Sequence, residues 1–223
     1  MFEPIIIHND EKVLTVDLHQ KLLLYEIKAS DKIPPPEVAL KIDNAIIGTL
    51  GNILSIIGKA KSRKSFFIGM AVSASVAKEN VISVLTNELP QSQRNVLYFD
   101  TEQGKYHVQK ALKRICTITG VSEPTNLNTY GLRALNPIER AELIEYAIYN
   151  TPNLGIVFID GIKDLITSIN DEEQATMIVS KLMKWSEEKN ILIVTVLHQN
   201  KGDNNARGHI GTELNNKAET VLS

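Results

Sequence analysis

Cysteine is almost missing from this chain: Cys116 is the only one among 223 residues. An internal disulfide framework and a cysteine-based zinc site are both excluded. An excess of positive charge is missing as well. The formal net charge of −2 supplies no overall field to draw the protein onto nucleic acid, so any such contact must come from a local patch or an assembled ring. No apolar run approaches the roughly 18 residues that a membrane-spanning helix needs. The start, Met1-Phe2-Glu3-Pro4, has no basic stretch followed by a long apolar one, and so does not read as a secretory signal. Internal repeats and low-complexity segments are not found. The expectation left by these absences is a cytoplasmic protein without membrane association, long enough for one sizeable α/β domain with a single core.

The clearest punctuation is Pro34-Pro35-Pro36, which cannot continue a helix and favours an extended linker. It separates an N-terminal segment, residues 1–36, from a main domain, 37–223. Within the segment, Val13 to Ile27 carries Leu18, Leu22, Leu23 and Ile27 at spacings that fit a helix about as well as a strand. That stretch is expected to pack on the main domain or on a neighbouring subunit. Beyond the linker, strands and helices alternate. Ile53–Ile57, Asn95–Asp100, Leu127–Gly131, Gly155–Asp160 and Ile191–Leu197 read as strands. Lys64–Ala77, Tyr106–Thr119, a helix opening at Asn136-Pro137, and Asp171–Lys189 read as helices. Near-continuous apolar strands separated by helices predict a mostly parallel sheet with helices on both faces.

Between the first strand and the first helix lies Gly58-Lys59-Ala60-Lys61-Ser62-Arg63-Lys64-Ser65, followed by Phe66. Here backbone N–H groups and a helix N-terminus converge on an anion. The pattern G-x-x-x-x-G-K-[ST] is met at Gly58, Lys64 and Ser65. Lys64 would bridge the β- and γ-phosphates of ATP, and the Ser65 hydroxyl would coordinate Mg²⁺. Arg63 stands where the second glycine is usual. Its side chain would either point outward or add a charge-assisted contact to a phosphate. The competing reading is a basic surface turn, which the strand before and the buried helix after argue against.

Carboxylates follow where an ATPase needs them. Asp160 ends Ile156-Val157-Phe158-Ile159, and an acid at the carboxyl end of a buried parallel strand lies at the mouth of the sheet. It would hold Mg²⁺ through water, or merely cap the turn. Asp100-Thr101-Glu102 follows the second strand, and a carboxylate there could polarise the attacking water. Glu102 is the candidate base and Asp100 its rival, against the reading of solvated loop acids. The fifth strand ends in His198-Gln199-Asn200-Lys201, where Gln199 could sense the γ-phosphate. The glycine- and asparagine-rich stretch from Lys201 to Gly211 reads as a mobile loop. His198 and His209 lack a third ligand of matching spacing, so hydrogen-bonding roles fit them better than a metal pair.

These motifs, in this order, resemble the RecA/DnaB group of P-loop ATPases and its RepA-like helicase branch. The runs Gly58-Lys59-Ala60-Lys61-Ser62-Arg63-Lys64, His198-Gln199-Asn200-Lys201-Gly202-Asp203 and Arg207-Gly208-His209-Ile210-Gly211-Thr212-Glu213-Leu214 are similar to AAA-family ATPases known as mobilization proteins of bacterial mobile elements. The resemblance runs from about Gly48 to Val221. It implies a RecA-like core with Glu102 as catalytic glutamate, Asp160 as the Mg²⁺ aspartate and Gln199 as γ-phosphate sensor. It also implies a homo-oligomeric ring or filament with ATP between subunits. Single-stranded or origin DNA would be the partner, met by Lys201 and Arg207. The chain ends at Thr220-Val221-Leu222-Ser223, in what reads as the opening of another strand, so C-terminal strands are expected to be lacking and in-trans basic residues are not carried over. The other readings are a nucleotide-controlled assembly module with little hydrolysis, and, fitting less well without an arginine-rich lid, a small-metabolite kinase.

Overall fold

A computed structural model describes residues 18–77, 79–200 and 206–223. The chain divides into two units, Met1–Pro35 and Pro36–Ser223. The described part of the first unit carries the short helix α1 (Leu18–Leu23). The rest of the ambiguous Val13–Ile27 stretch is non-helical beyond α1, or lies outside the described residues.

In the second unit the elements run β1 (Val38–Ile42), β2 (Ala45–Thr49), β3 (Ile53–Gly58), α2 (Lys64–Val76), β4 (Leu85–Asn87), β5 (Asn95–Asp100), α3 (Lys105–Thr119), β6 (Leu127–Gly131), α4 (Pro137–Asn150), β7 (Leu154–Asp160), α5 (Glu172–Lys189), β8 (Leu192–His198), α6 (Gly208–Lys217) and β9 (Thr220–Leu222). Six strands form one sheet in the order β6-β5-β7-β8-β3-β9, and every pairing in it is parallel. This is the expected α/β architecture of a RecA-like P-loop domain.

Alternation along each strand builds two cores, because successive side chains leave a strand on opposite faces. Ile53, Ile57, Leu97, Phe99, Val157, Ile159, Ile193 and Leu197 pack against α4, α5 and α6. Leu54, Ile56, Val96, Tyr98, Ile156, Phe158, Val194 and Val196 pack against α2 and its surroundings. Strands β3 and β7 are buried from end to end, which is why both read as unbroken apolar runs. Helix α4 starts where Asn136-Pro137 predicted: Asn136 Oδ1 accepts from Glu139 N at 3.0 Å, and Glu139 reaches back to Asn136 N. Asp171 caps α5 by accepting from Gln174 N at 3.0 Å.

Two features depart from the expectation. A three-stranded antiparallel sheet, β2-β1-β4, covers part of the α2 face, with Ala39, Leu40, Ile47 and Leu85 in that core. The second is the predicted mobile loop. Lys201 and residues 202–205 lie outside the described residues, but Ala206 bridges to Gln199 and α6 begins at Gly208. Gly208 and Gly211 serve close approach rather than mobility. Gly208 has φ +73°, and a Cβ on Gly211 would lie 2.7 Å from the Ala206 Cβ, while Ile210 and Leu214 enter the core.

Candidate nucleotide site

Parallel strands put their carboxyl ends on one edge, and four neighbours in the sheet deliver the predicted groups there. Gly58 ends β3, His198 ends β8, Asp160 ends β7, and Glu102 follows β5 by two residues. Gly58 pairs in register with His198, and Asp100 with Asp160. Lys61, Ser62, Arg63, Lys64, Ser65, Glu102, Asp160, Val196 and His198 enclose a cavity of about 220 Å³. A larger hollow of about 560 Å³ between β6 and α4 has no charged residue in its lining, which includes Asn128, Tyr130 and Tyr146. Chemistry rather than size therefore marks the candidate phosphate site.

The phosphate loop folds back over the end of β3. A Cβ on Gly58 would stand 2.8 Å from the Ser62 Oγ, so this turn needs glycine. Lys61 and Arg63 both adopt left-handed backbone, at φ 65° and 67°. The second glycine of the motif is thus replaced by a residue that takes glycine's conformation, at a cost of about 1–2 kcal/mol. The Arg63 side chain stays exposed and lines both the phosphate cavity and an adjoining hollow of about 540 Å³. No side chain caps the N-terminus of α2, in contrast to α4 and α5. Open first-turn N–H groups and the helix dipole favour an anion there. Lys59, Ala60 and Ser62 complete the turn, and Phe66 lies half exposed beneath the Arg114 guanidinium at 5.4 Å.

Lys64 turns inward. Its Nζ donates to Gly58 O at 2.7 Å and Lys59 O at 2.8 Å, and meets His198 Nδ1 at 3.1 Å. Burial lowers its pKa, opposed by the charges of Asp160 and Glu102. Asp160 is nearly buried, and burial pushes its carboxyl up to about 6. A hydrogen bond from Ser65 opposes that rise, while Asp100 and Glu102 add to it. Its Oδ2 is buried with no hydrogen-bond partner. An orphaned carboxylate oxygen beside a serine hydroxyl and two further acids suits a cation. Ser65 and Asp160 thus fit Mg²⁺ held jointly with phosphate and water. Among the described residues no cluster of His, Cys, Asp and Glu could hold a metal unaided.

Glu102 and Asp100 have different surroundings. Asp100 is fully buried and accepts from Glu102 N at 3.0 Å, Gln103 N at 2.7 Å and Gln103 Nε2 at 2.8 Å. Burial raises its pKa against those three bonds. Its oxygens are spent bending the chain. Glu102 instead reaches the cavity, with Oε1 3.3 Å from Lys163 Nζ and 3.6 Å from His198 Nε2. Buried Thr101 ties this loop to the Asp160 turn: its hydroxyl lies 2.9 Å from Gly161 O and 3.0 Å from Asp164 Oδ2.

His198, rather than its neighbour, faces the phosphate cavity. Gln199 lines the adjoining hollow beside Gly58 and Lys59, with its backbone N on Gly58 O at 3.0 Å. Arg207 N donates to His198 O at 3.1 Å, and the Arg207 side chain is exposed. Lys163 and His198 as partners of Glu102 escaped sequence reasoning. The signal for His198 was its place on the last residue of a buried strand.

A family model described as AAA domain matches residues 20–204. No curated protein matches the chain. A match over most of the length shows that the chain belongs to the AAA domain family of P-loop ATPases.

Proposed function

We propose that the protein binds ATP with Mg²⁺ and hydrolyses it, acting on DNA in the replication or mobilization of a bacterial mobile element. One observation carries the nucleotide part: Lys64, Ser65, Asp160 and Glu102, drawn from three separate stretches of sequence, line a single cavity at an uncapped helix N-terminus. Lys64 binds and orients the β- and γ-phosphates. Ser65 and Asp160 hold the metal, which neutralises charge on the phosphates when bound. Glu102 accepts the proton of the attacking water, the role that Asp100 cannot fill with both oxygens committed. Gln199, beside the loop in the adjoining hollow, is positioned to pass nucleotide state to the segment leading into α6.

The DNA part rests on the resemblance of the His198–Asp203 and Arg207–Leu214 runs, with Lys201 and the exposed Arg207 as phosphate-backbone contacts. A homo-oligomer, ring or filament, is the working assembly, with residues 1–36 as an appended segment and the cytoplasm as its compartment. A second reading, a nucleotide-controlled assembly module with little turnover, is favoured by Arg63 in the loop and by the engagement of Glu102 with Lys163.

The test is Mg²⁺-dependent ATP hydrolysis with and without single-stranded DNA, comparing the chain with Glu102→Gln. DNA-stimulated turnover that falls at least 100-fold in the variant, on the order expected for a general base, supports the motor reading. Tight ATP binding with no turnover in either protein selects the assembly module.

A further inference from the structure

We propose that His198 is a positioning residue that latches the nucleotide-free site, holding Lys64 through one ring nitrogen and facing Glu102 with the other, so that an arriving phosphate must displace the imidazole from Lys64. The inference rests on the nucleotide-binding reading above and adds a control step to it.

An ammonium has three protons, and in this site all three have acceptors: Gly58 O, Lys59 O and His198 Nδ1. Lys64 cannot reach a phosphate without giving up at least one. The two carbonyls belong to the loop backbone, and Gly58 O is further fixed by Gln199 N at 3.0 Å. The imidazole is the partner that can leave by side-chain rotation alone. The His198 backbone is held on both sides, in register with Gly58 and through its carbonyl to Arg207 N at 3.1 Å. Motion is therefore confined to the ring.

The same ring joins the two halves of the site. Lys64 donates to Nδ1, which fixes the proton on Nε2, and Nε2 is the atom 3.6 Å from Glu102 Oε1. Rotation away from Lys64 must also change what Glu102 faces, leaving it to Lys163 at 3.3 Å. The charged groups facing the ring are Lys64, Glu102 and Lys163. Burial and the Lys64 charge lower its pKa, the direction that favours an acceptor, against the opposing pull of Glu102.

A latch differs in sign from a side chain that contacts the terminal phosphate. Losing such a contact weakens ATP and leaves ADP unchanged. Losing the latch strengthens both, because Lys64 serves the β-phosphate in either nucleotide. The experiment is equilibrium titration of the full chain with Mg-ADP and with Mg-β,γ-imido-ATP. His198→Ala should tighten both by on the order of tenfold, the weight of one charge-assisted hydrogen bond. His198→Asn places Oδ1 where Nδ1 was and should bind like the parent protein. His198→Gln has no acceptor there, should tighten like His198→Ala, and serves if that variant fails to fold. Unchanged affinities, or weakening confined to the imido analogue, overturn the latch. Failure of the parent and all variants to bind either nucleotide overturns the nucleotide reading itself, and with it the latch.

Discussion

Replacing Asp160 by asparagine should remove a pH dependence of stability from the metal-free protein. The carboxyl sits at about 6 against an ordinary 3.8, chiefly because it is buried. The folded state therefore binds the proton more tightly than the unfolded state does. Between about pH 4 and pH 6 the folded protein carries the extra proton, and stability falls as pH rises through that window. Above it both states are ionised, and the full cost remains. At 1.36 kcal/mol per pH unit, that cost is about 3 kcal/mol. An amide in the same place has no charge to desolvate, so the gap between Asp160→Asn and the parent should change by about 2.5 kcal/mol from pH 4 to pH 7.5, in favour of the variant at the higher pH. The constant offset between them reflects how well the amide nitrogen is accommodated where Oδ2 now lacks a partner. Denaturant titrations in a chelator at several pH values give the comparison. Trp185, the single tryptophan, is fully buried and donates Nε1–H to Glu145 at 3.1 Å, so its fluorescence reports unfolding. Parallel curves for the two proteins across the window would refute the account of Asp160 as a buried, uncompensated charge.

Two substitutions test the loops that carry the site. Gly161 has φ +109°, and a Cβ there would collide with the Thr101 hydroxyl and lie 2.8 Å from Glu102 Cγ. Gly161→Ala should cost about 2–4 kcal/mol in denaturant titration, from backbone strain and crowding together, and a loss below 1 kcal/mol would be too small for that contact. At Arg63, φ 67° is a conformation that β-branched residues resist. Arg63→Gly should leave stability within about 1 kcal/mol of the parent, since relief of strain is offset by the freer unfolded chain. Arg63→Val should fall about 1–2 kcal/mol below it, and equal stability of the two variants in thermal unfolding would remove the left-handed loop.

The parts of the fold that sequence made legible are those where one local rule acts alone. Buried parallel strands such as β7 read as apolar runs because both faces are covered, and α4 announced itself through Asn136 and Pro137. The antiparallel β1–β2 pair did not, since a five-residue strand half exposed at one end carries too weak a pattern. Residues 206–211, the described part of the expected loop, depart for a different reason. Gly208 and Gly211 signal chain freedom in one dimension, yet here each lets backbone approach backbone, with Ile169 O and Ala206 as the neighbours. At the candidate site, motif spacing singled out Gly58, Lys64, Ser65, Glu102 and Asp160, which the fold brings to one edge of the sheet. Spacing says nothing of which strand lies beside which. Because β8 stands between β7 and β3, His198 falls between Asp160 and the phosphate loop, a placement that only topology supplies.

Several departures from local rules meet at one edge of the sheet, though others lie elsewhere, among them left-handed Asp43, Asn153 and Asn190 and the partnerless hydroxyls of Ser55 and Thr195. At that edge Lys61 and Arg63 take left-handed backbone, Asp100 and Asp160 stand side by side with pKa values raised by burial, and Asp160 Oδ2 lacks a partner. Each is destabilising by itself, whereas the starts of α4 and α5 are capped by Asn136 and Asp171. A polyanion carrying a divalent cation relieves most of these together. The cation answers the clustered carboxylates, and the phosphates answer the uncapped α2 and Lys64. A ligand that binds the folded state alone stabilises by its own binding free energy, so nucleotide and Mg²⁺ should act cooperatively on stability, each raising the gain from the other. Additive effects of the two would mean that the carboxylates and the loop form separate sites.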